Sequence, residues 1–441
     1  MIRTLTPRDV ASAIEDQPMT RFQVTAVGIC MVLNAIDGFD VLAMAFAAPV
    51  LTQAWSLPPS ELGVLFSSGL FGMAVGSMLI APLADRTGRR FMTLASLYAV
   101  TAGMFLSAVS QNPTQLAATR VVTGLGIGVM LPSLTTVVAE YSSRRRRELC
   151  VSVMSTGYPV GATIGGAAAV LIIGSLGWRG IFLFGGLLSL TMIPVVGRGI
   201  PESLAFLATR RPSDALERIN LVLRRLGQEE IDAVPEVQGP VERAGLRDIA
   251  RARLGAPSAA LWTAFFCVML SFYFVLSWTP QLLVDAGLRA EEGISGGVLL
   301  NVGGIAGGLA LGFLAARVGR FRIVSLTAVG GALAVVGFGL FATGPVVAMG
   351  MALVVGYFLF GSMVGLYALT PSVYPAEVRN TGTGLSIGVG RIGAILSPYL
   401  AGVLLEAGWS ASGTYAVFAL PLVVAAAATG ALAVLQRPST A

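Results

Sequence analysis

The sequence predicts an all-α membrane protein in which twelve transmembrane helices form two pseudo-symmetric six-helix bundles. Three observations predict it. Of 441 residues, 55% are hydrophobic and only 12% charged, against roughly 25% charged in an average soluble domain. The charges cluster, and the stretches between them reach the roughly twenty apolar residues that cross a bilayer core as a helix. These stretches fall into six, a polar middle, and six more, which suggests an internal duplication.

The first six spans run 22–47, 61–84, 91–110, 114–139, 149–173 and 179–198; the second six run 258–284, 294–316, 321–342, 346–371, 380–405 and 412–435. The chain thus divides into a leader (1–21), a first bundle (22–198), a linker (199–257), a second bundle (258–435) and a tail (436–441). Arginine placement orients the spans, because positive loops stay on the cytoplasmic side. One side receives Arg3, Arg8, Arg21, Arg86, Arg89, Arg90, Arg144 to Arg147, the linker, Arg317, Arg320, Arg322, Arg379 and Arg437. The other has only Arg179 and Arg289. Both termini and the linker are therefore expected in the cytoplasm, and the leader, which carries Asp9, Glu15 and Asp16 among its arginines, reads as no signal peptide. Trp55, Trp178, Trp262, Trp278 and Trp409 fall near span ends, where an amphipathic ring prefers the interface.

The linker reads as a surface segment without a core. Asp214 to Leu226 has an amphipathic pattern, with Asp214 and Glu217 spaced as a capping box, Gly227 as the stop, and Leu216, Ile219, Leu223 and Leu226 as the apolar stripe. Leu246 to Leu254 has the same character.

Composition also narrows function. The net charge of +6 sits in the loops of a membrane protein and is no argument for nucleic acid. All basic residues are arginine, and there is no histidine, so the usual zinc ligand and the usual near-neutral proton carrier are both missing. Proton handling would fall to Asp or Glu. Cys30, Cys150 and Cys267 are scattered and odd in number, which implies no disulfide framework. No metal-ligand cluster, cofactor motif or nucleophile–base arrangement is visible, so an intramembrane enzyme is disfavoured.

Span one carries Asp37 and Asp40, the only pair of acids inside a predicted span. A charge at bilayer depth costs at least a few kcal/mol and is a functional-site hypothesis by default. Three residues apart, the two lie at neighbouring positions on one helix face. Counting from Arg21 at about 1.5 Å per residue, both fall in the outer half of the membrane. Span four runs the opposite way, which puts Arg120 at similar height and predicts an ion pair with the acids, since unpaired charges there are costly. A static structural bridge is the competing reading. In span eleven, Arg391 lies near the midplane within Gly388-Val-Gly390-Arg391-Ile-Gly393, with no acid of the second half at its depth. Such an arginine suits a substrate carboxylate held by a bidentate contact; an ion pair with Asp37 or Asp40 is the alternative.

Two further signatures follow spans two and eight: Ala81-Pro-Leu-Ala-Asp85-Arg86-Thr-Gly88-Arg89-Arg90 and Gly312-Phe-Leu-Ala-Ala-Arg317-Val-Gly319-Arg320. The first resembles the G-x-x-x-D-R-x-G-R-R loop of the major facilitator superfamily, with Ala81 in place of the first glycine, and implies that superfamily's fold. Asp85, with Arg86, Gly88 and Arg90, is expected to act as a latch that pairs when the bundle closes on the inside. Glu140, at the cytoplasmic end of span four, reads as a further gate residue.

The stretch Ile36-Asp37-Gly38-Phe39-Asp40, with Arg120, Arg391, Met19-Thr-Arg-Phe-Gln23, Pro201-Glu202-Ser203 and Tyr374-Pro-Ala-Glu-Val-Arg379-Asn-Thr-Gly382, resembles the aromatic acid:proton symporter family within that superfamily. The resemblance implies import of a benzoate- or hydroxybenzoate-type carboxylate with protons across a bacterial inner membrane, by a single chain without cofactor. It carries the proton-coupling role to Asp37 and Asp40. Phe39, Tyr273, Trp278, Tyr357, Phe360 and Tyr367 are candidates for contact with the ring, although ordinary packing in an apolar bundle accounts for most of them; Asn34 and Asn301 are better candidates for polar contact, little above a helix–helix hydrogen bond.

Other readings explain less. A sugar symporter shares Gly38-Phe39-Asp40 and Pro201-Glu202-Ser203 but not Asp37 or Arg391, and span five has no Asn or Gln for a polyol. Gly157-Tyr-Pro-Val-Gly161-Ala162 resembles a drug/proton antiporter signature with alanine where its proline belongs. A non-transporting sensor has no signalling domain in the linker or tail.

Overall fold

The computed structural model describes residues 18–234 and 254–436, apart from 343, 376 and 377. Most of the leader, the tail beyond Gln436, with Arg3, Arg8 and Arg437, and all of the second amphipathic piece but Leu254 lie outside these residues. Among the described residues every regular element is a helix. The first bundle comprises α1 (Arg21–Trp55), α2 (Pro59–Val75), the short α3 (Ala84–Thr87), α4 (Arg89–Val109), α5 (Pro113–Tyr141) and α6 (Arg147–Gly199). The linker carries α7 (Leu204–Arg210) and α8 (Ala215–Leu226). The second bundle comprises α9 (Gly255–Asp285), α10 (Ala290–Val318), α11 (Arg320–Phe341), α12 (Pro345–Val373), α13 (Arg379–Glu406) and α14 (Ala411–Leu435).

Among the described residues eleven helical stretches are long and apolar enough to cross a membrane, α2 counting together with the turns and α3 that continue it to Thr87, and they supply the twelve predicted crossings because α6 makes two. At 53 residues, a straight α6 would measure about 80 Å at 1.5 Å per residue, far beyond a hydrocarbon core of roughly 30 Å. It turns back at Gly177, whose φ of 61° and ψ of −163° are not helical. Gly165 and Gly185 confirm the reversal, since both press against the ring of Phe39 from opposite limbs of α6. Spans five and six are thus the two limbs of α6.

Most other departures from the expected boundaries have local causes. α1 outlasts its predicted span by eight residues, through Trp55, and stops at Ser56 in the left-handed conformation. Its start is a capping box, in which the Thr20 hydroxyl accepts from the Gln23 N–H and the Gln23 side chain accepts from the Thr20 N–H. Span two does not end as one regular helix: after Val75 it passes through a π turn (Gly76–Ile80) and a 3₁₀ turn (Ala81–Leu83). Pro82 has no N–H to continue the ladder and its ring crowds the preceding turn, which is a recognised cause of such irregularity. In α8, Asp214 makes no capping bond; it pairs with Arg218 at 2.6 Å instead. Gly227, at φ 73°, ends the helix as its sequence position suggests.

The duplication is visible in backbone as well as in sequence. Gly88 (φ 99°, ψ 148°) and Gly319 (φ 91°, ψ 136°) take nearly the same left-handed turn at equivalent places in the two bundles. A side chain at these φ values is strained, which is why glycine stands in both copies.

The bundles meet at their arginine-poor end. There Ser67 donates to the Ile395 carbonyl at 2.7 Å, the Ser60 N–H donates to Glu406 at 3.2 Å, and Thr52 lies 3.4 Å from the Gln281 amide oxygen. Gly63 and Gly402 remove the side chains that would hold α2 and α13 apart, so that each glycine abuts the opposite backbone at Pro398 and Pro59. Phe66 and Trp278 close edge to face at 5.4 Å. At the arginine-rich end, Leu79 and Tyr367 are exposed.

Candidate functional site

Gly38 determines how the acid-bearing part of α1 meets α6. A methyl group on it would overlap the main-chain carbonyl of Tyr158, and methyls on Gly157 and Gly161 would overlap α1 at Met31 and Ala35. The small residues of the Gly157–Gly166 stretch therefore serve close helix packing. The two acids of α1 sit on either side of this contact and face different neighbours. Asp37 lies within electrostatic reach of the Tyr158 hydroxyl. Asp40 turns its carboxylate toward Gly185 in the second limb of α6.

Both acids are sealed from solvent, at 2% and 0% exposure, and none of their four carboxylate oxygens has a hydrogen-bond partner. The predicted ion pair with Arg120 is not formed. Arg120, 3% exposed, does reach the same depth, but Nη2 donates to the main-chain carbonyl of Asp40 at 2.8 Å. Nη1 lies 3.3 Å from the Met104 sulfur, and the guanidinium faces the Phe182 ring at 5.6 Å. Its height was readable from span direction; its partner depended on helix rotation, which turns the carbonyl rather than the carboxylate toward it. A cavity of about 20 Å³, lined by Arg120, Phe66 and Tyr273 among others, is room for about one water.

Arg391 is half-buried on the second bundle, and no ion pair or hydrogen bond joins it to a described residue. Gly393 allows α13 to rest its backbone on the Phe266 carbonyl of α9, which brings Arg391 beside α9. The Arg391 charge acts on the phenols of Tyr273 and Tyr367, and both phenols act in turn on Tyr158. Asp37, Tyr158, Tyr273, Tyr367 and Arg391 thus form one electrostatically connected cluster between the bundles. Tyr367 is 40% exposed, so the cluster is not sealed on every side. Tyr158 was not foreseen as a site residue. Its hydroxyl is buried and without a partner, and the only hint in sequence was a phenol among glycines in an apolar span.

The other expected contacts lie elsewhere. Phe39 packs inside the first bundle, edge to face with Phe184 at 5.5 Å, away from the space between the bundles. Trp278 belongs to the seal, its indole N–H donating to the Pro398 carbonyl at 3.0 Å. Asn34 donates to the Met154 carbonyl at 2.7 Å, a helix–helix bond, and Asn301 to the Gly297 carbonyl of its own helix at 2.9 Å. Phe360 packs on Phe272 at 4.8 Å, and half-buried Tyr357 stands edge to face with Phe358 at 5.2 Å.

At the arginine-rich end, Asp85 pairs with Arg89 at 3.3 Å, and Arg89 approaches Glu140 at 3.8 Å. Arg210 donates to the Asp85 carbonyl, Arg90 to the Gly197 carbonyl, and Arg86 is exposed. Glu202, noted in sequence only as part of Pro201-Glu202-Ser203, is the hub. Its Oε1 accepts the N–H groups of Arg89, Arg90 and Ser203 at 2.8, 3.2 and 3.0 Å, which places a carboxylate at the positive N-terminus of α4. A methyl on Gly88 would strike this carboxylate, so glycine is required there for space as well as for its φ. The Tyr141 hydroxyl donates to the Glu202 carbonyl at 2.7 Å. These contacts stay within the first bundle and the linker.

Residues 30–398 match the family model of the Major Facilitator Superfamily. Over 426 residues the chain is 32% identical to the gallate transporter of Pseudomonas putida, covering 96% of this chain and 94% of that protein. It is 32% identical over 428 residues to the 4-hydroxybenzoate transporter PcaK of Pseudomonas aeruginosa, covering 95% and 94%. With the 3-(3-hydroxy-phenyl)propionate transporter of Escherichia coli it shares 31% identity over 404 residues, covering 90% and 91%. Among solved structures, the inward open conformation of the xylose transporter XylE from E. coli superposes with a TM-score of 0.73 at 15% identity, covering 92% of this chain and 95% of that one. A crystal structure of a D-xylose-proton symporter gives 0.71 at 17%, covering 92% and 97%. At such identities the likeness is one of fold.

Proposed function

We propose that this chain, which belongs to the Major Facilitator Superfamily and groups there with transporters of aromatic acids, imports a benzoate- or hydroxybenzoate-type carboxylate together with protons across a bacterial inner membrane. Asp37 and Asp40 carry the protons. Arg391 receives the carboxylate, the phenols of Tyr158, Tyr273 and Tyr367 surround the ring, and Arg120 supports the acid site from the first bundle. Both termini lie in the cytoplasm, and the latch around Asp85, Glu140 and Glu202 works on the inner face. No bond in the substrate is made or broken, and one chain suffices.

One observation carries the reading: Asp37, whose carboxylate has no hydrogen-bond partner, and Arg391, which no ion pair or hydrogen bond joins to a described residue, stand on opposite bundles around one cluster of phenols. A dry carboxylate and an unpaired guanidinium at bilayer depth are costly unless something arrives to satisfy them, and a proton and a carboxylate anion are the species that fit. Rocking of the bundles about this cluster would then expose it to each side in turn. The seal at the arginine-poor end suits one of the two states such a cycle requires.

The test is uptake of radiolabelled 4-hydroxybenzoate into proteoliposomes with an imposed pH gradient, acid outside, compared with gallate, benzoate, xylose and a cationic dye. Accumulation of the aromatic acids that a protonophore collapses is the expected result. Accumulation of xylose instead, or export of the dye, would replace the substrate class.

A further inference from the structure

A second cavity, of about 420 Å³, opens at the arginine-rich end away from the space between the bundles. Its walls are the start of α4 at Arg90, the end of α6 at Gly197 and Arg198, the turn from Ile200 to Glu202, and α8. Helix α8 contributes Arg218, Leu221, Val222 and Arg225. Their spacing of three, four and seven residues puts all four on one helix face, while Ile219 and Leu223 turn to a separate apolar cluster with Leu207 and Ile231. A helix that looks from sequence like a simple amphipathic strip thus presents a second, basic face.

Four guanidinium groups line this cavity and one carboxylate, that of Glu202, which already accepts the three N–H groups described above. Arg218 is neutralised by Asp214 at 2.6 Å. Arg198 and Arg225 have no carboxylate partner among the described residues; Arg225 only faces the Phe22 ring, at 5.6 Å. Arg90 donates to the Gly197 carbonyl and keeps its Nε buried with no acceptor. The rest of the wall is apolar, from Ile200, Leu207, Leu221 and Val222. Next along the chain from Arg90 and two residues before Gly197, Phe91 on α4 and Val195 on α6 are exposed large hydrophobic side chains, as suits contact with hydrocarbon.

An anion with an apolar extension fits these walls. Guanidinium groups bind phosphate by paired, charge-assisted bonds, and basic pockets at the membrane surface suit lipid headgroups. We propose that this cavity binds the phosphate of an anionic phospholipid, held by Arg198, Arg225 and Arg90, with its acyl chains running along Phe91 and Val195. Inorganic phosphate shares the headgroup chemistry, but the apolar walls and the adjoining hydrocarbon surface favour the lipid. The site does not depend on the transport reading.

The experiment is thermal melting of the full-length protein in nanodiscs of phosphatidylcholine alone and of phosphatidylcholine mixed with phosphatidylglycerol or cardiolipin. Anionic lipid should raise the melting temperature, and the double variant Arg198→Gln/Arg225→Gln should lose that rise while melting like the parent in phosphatidylcholine alone. Should the double variant be damaged, Arg198→Gln alone is compared in the same way and should lose at least half of the rise. An equal rise in parent and variant would overturn the proposal, as would no response to anionic lipid. So would inorganic phosphate reproducing the rise in phosphatidylcholine discs, which would make this a soluble-anion site.

Discussion

Arg120 donates to the main-chain carbonyl of Asp40 at 2.8 Å and leaves both carboxylate oxygens of that residue without a hydrogen-bond partner. The arginine thus steadies the helix at the acid without tying up the acid itself. On the proposed reading, a bond to the carbonyl in place of a direct bridge keeps the Asp40 carboxylate available for a proton.

Asp37→Asn and Asp40→Asn should each abolish pH-driven accumulation of 4-hydroxybenzoate in proteoliposomes, with the protein still eluting as a single folded species. In the parent, lowering the external pH should increase accumulation, and this dependence should vanish in both variants. Full accumulation in either would remove that acid from proton handling.

Arg391→Ala should raise the half-saturating concentration of the carboxylate. Hydrogen bonds to charged groups contribute about 1.5–3 kcal/mol, so the expected rise is at least tenfold, since 1.4 kcal/mol corresponds to about tenfold. Arg391→Lys, which keeps the charge without the bidentate fork, should fall between. Initial rates over a concentration series decide it, and an unchanged half-saturation would put the carboxylate elsewhere.

Tyr158→Phe keeps the ring and deletes a hydroxyl that has no protein partner. Uptake of 4-hydroxybenzoate should fall relative to benzoate, because only the hydroxylated ring has a group to pair with the lost one. Equal effects on both substrates would leave Tyr158 a packing residue.

Gly38→Ala would place a methyl on the Tyr158 carbonyl where α1 and α6 touch backbone to backbone. Overpacking of this kind costs about 1–3 kcal/mol, so the purified variant should melt several degrees below the parent. Transport should fall with it, because separating the helices displaces Tyr158 from Asp37. A melting temperature equal to the parent's would show slack at this contact.

Much of this protein is set by order along the chain alone. Apolar runs long enough to bury a helix in lipid, and arginines left in the loops between them, specify crossings and their alternation without reference to any tertiary contact. That Arg120 stands level with Asp40 follows from counting residues along helices of known rise. Depth is one coordinate, however, and partnership needs three. Whether Arg120 meets a carboxylate or a carbonyl depends on how α1 and α5 are rotated about their own axes, and that is decided by packing between residues 80 apart in the chain. The same holds for Phe39 and Trp278, which read as substrate contacts but are turned into the first bundle and the seal, and for Tyr158, which Gly38 brings beside Asp37. The basic face of α8 also emerges only when the linker folds back beneath α4 and α6. Sequence periodicity determines which residues can share a helix face; only the assembled bundle decides what each face meets.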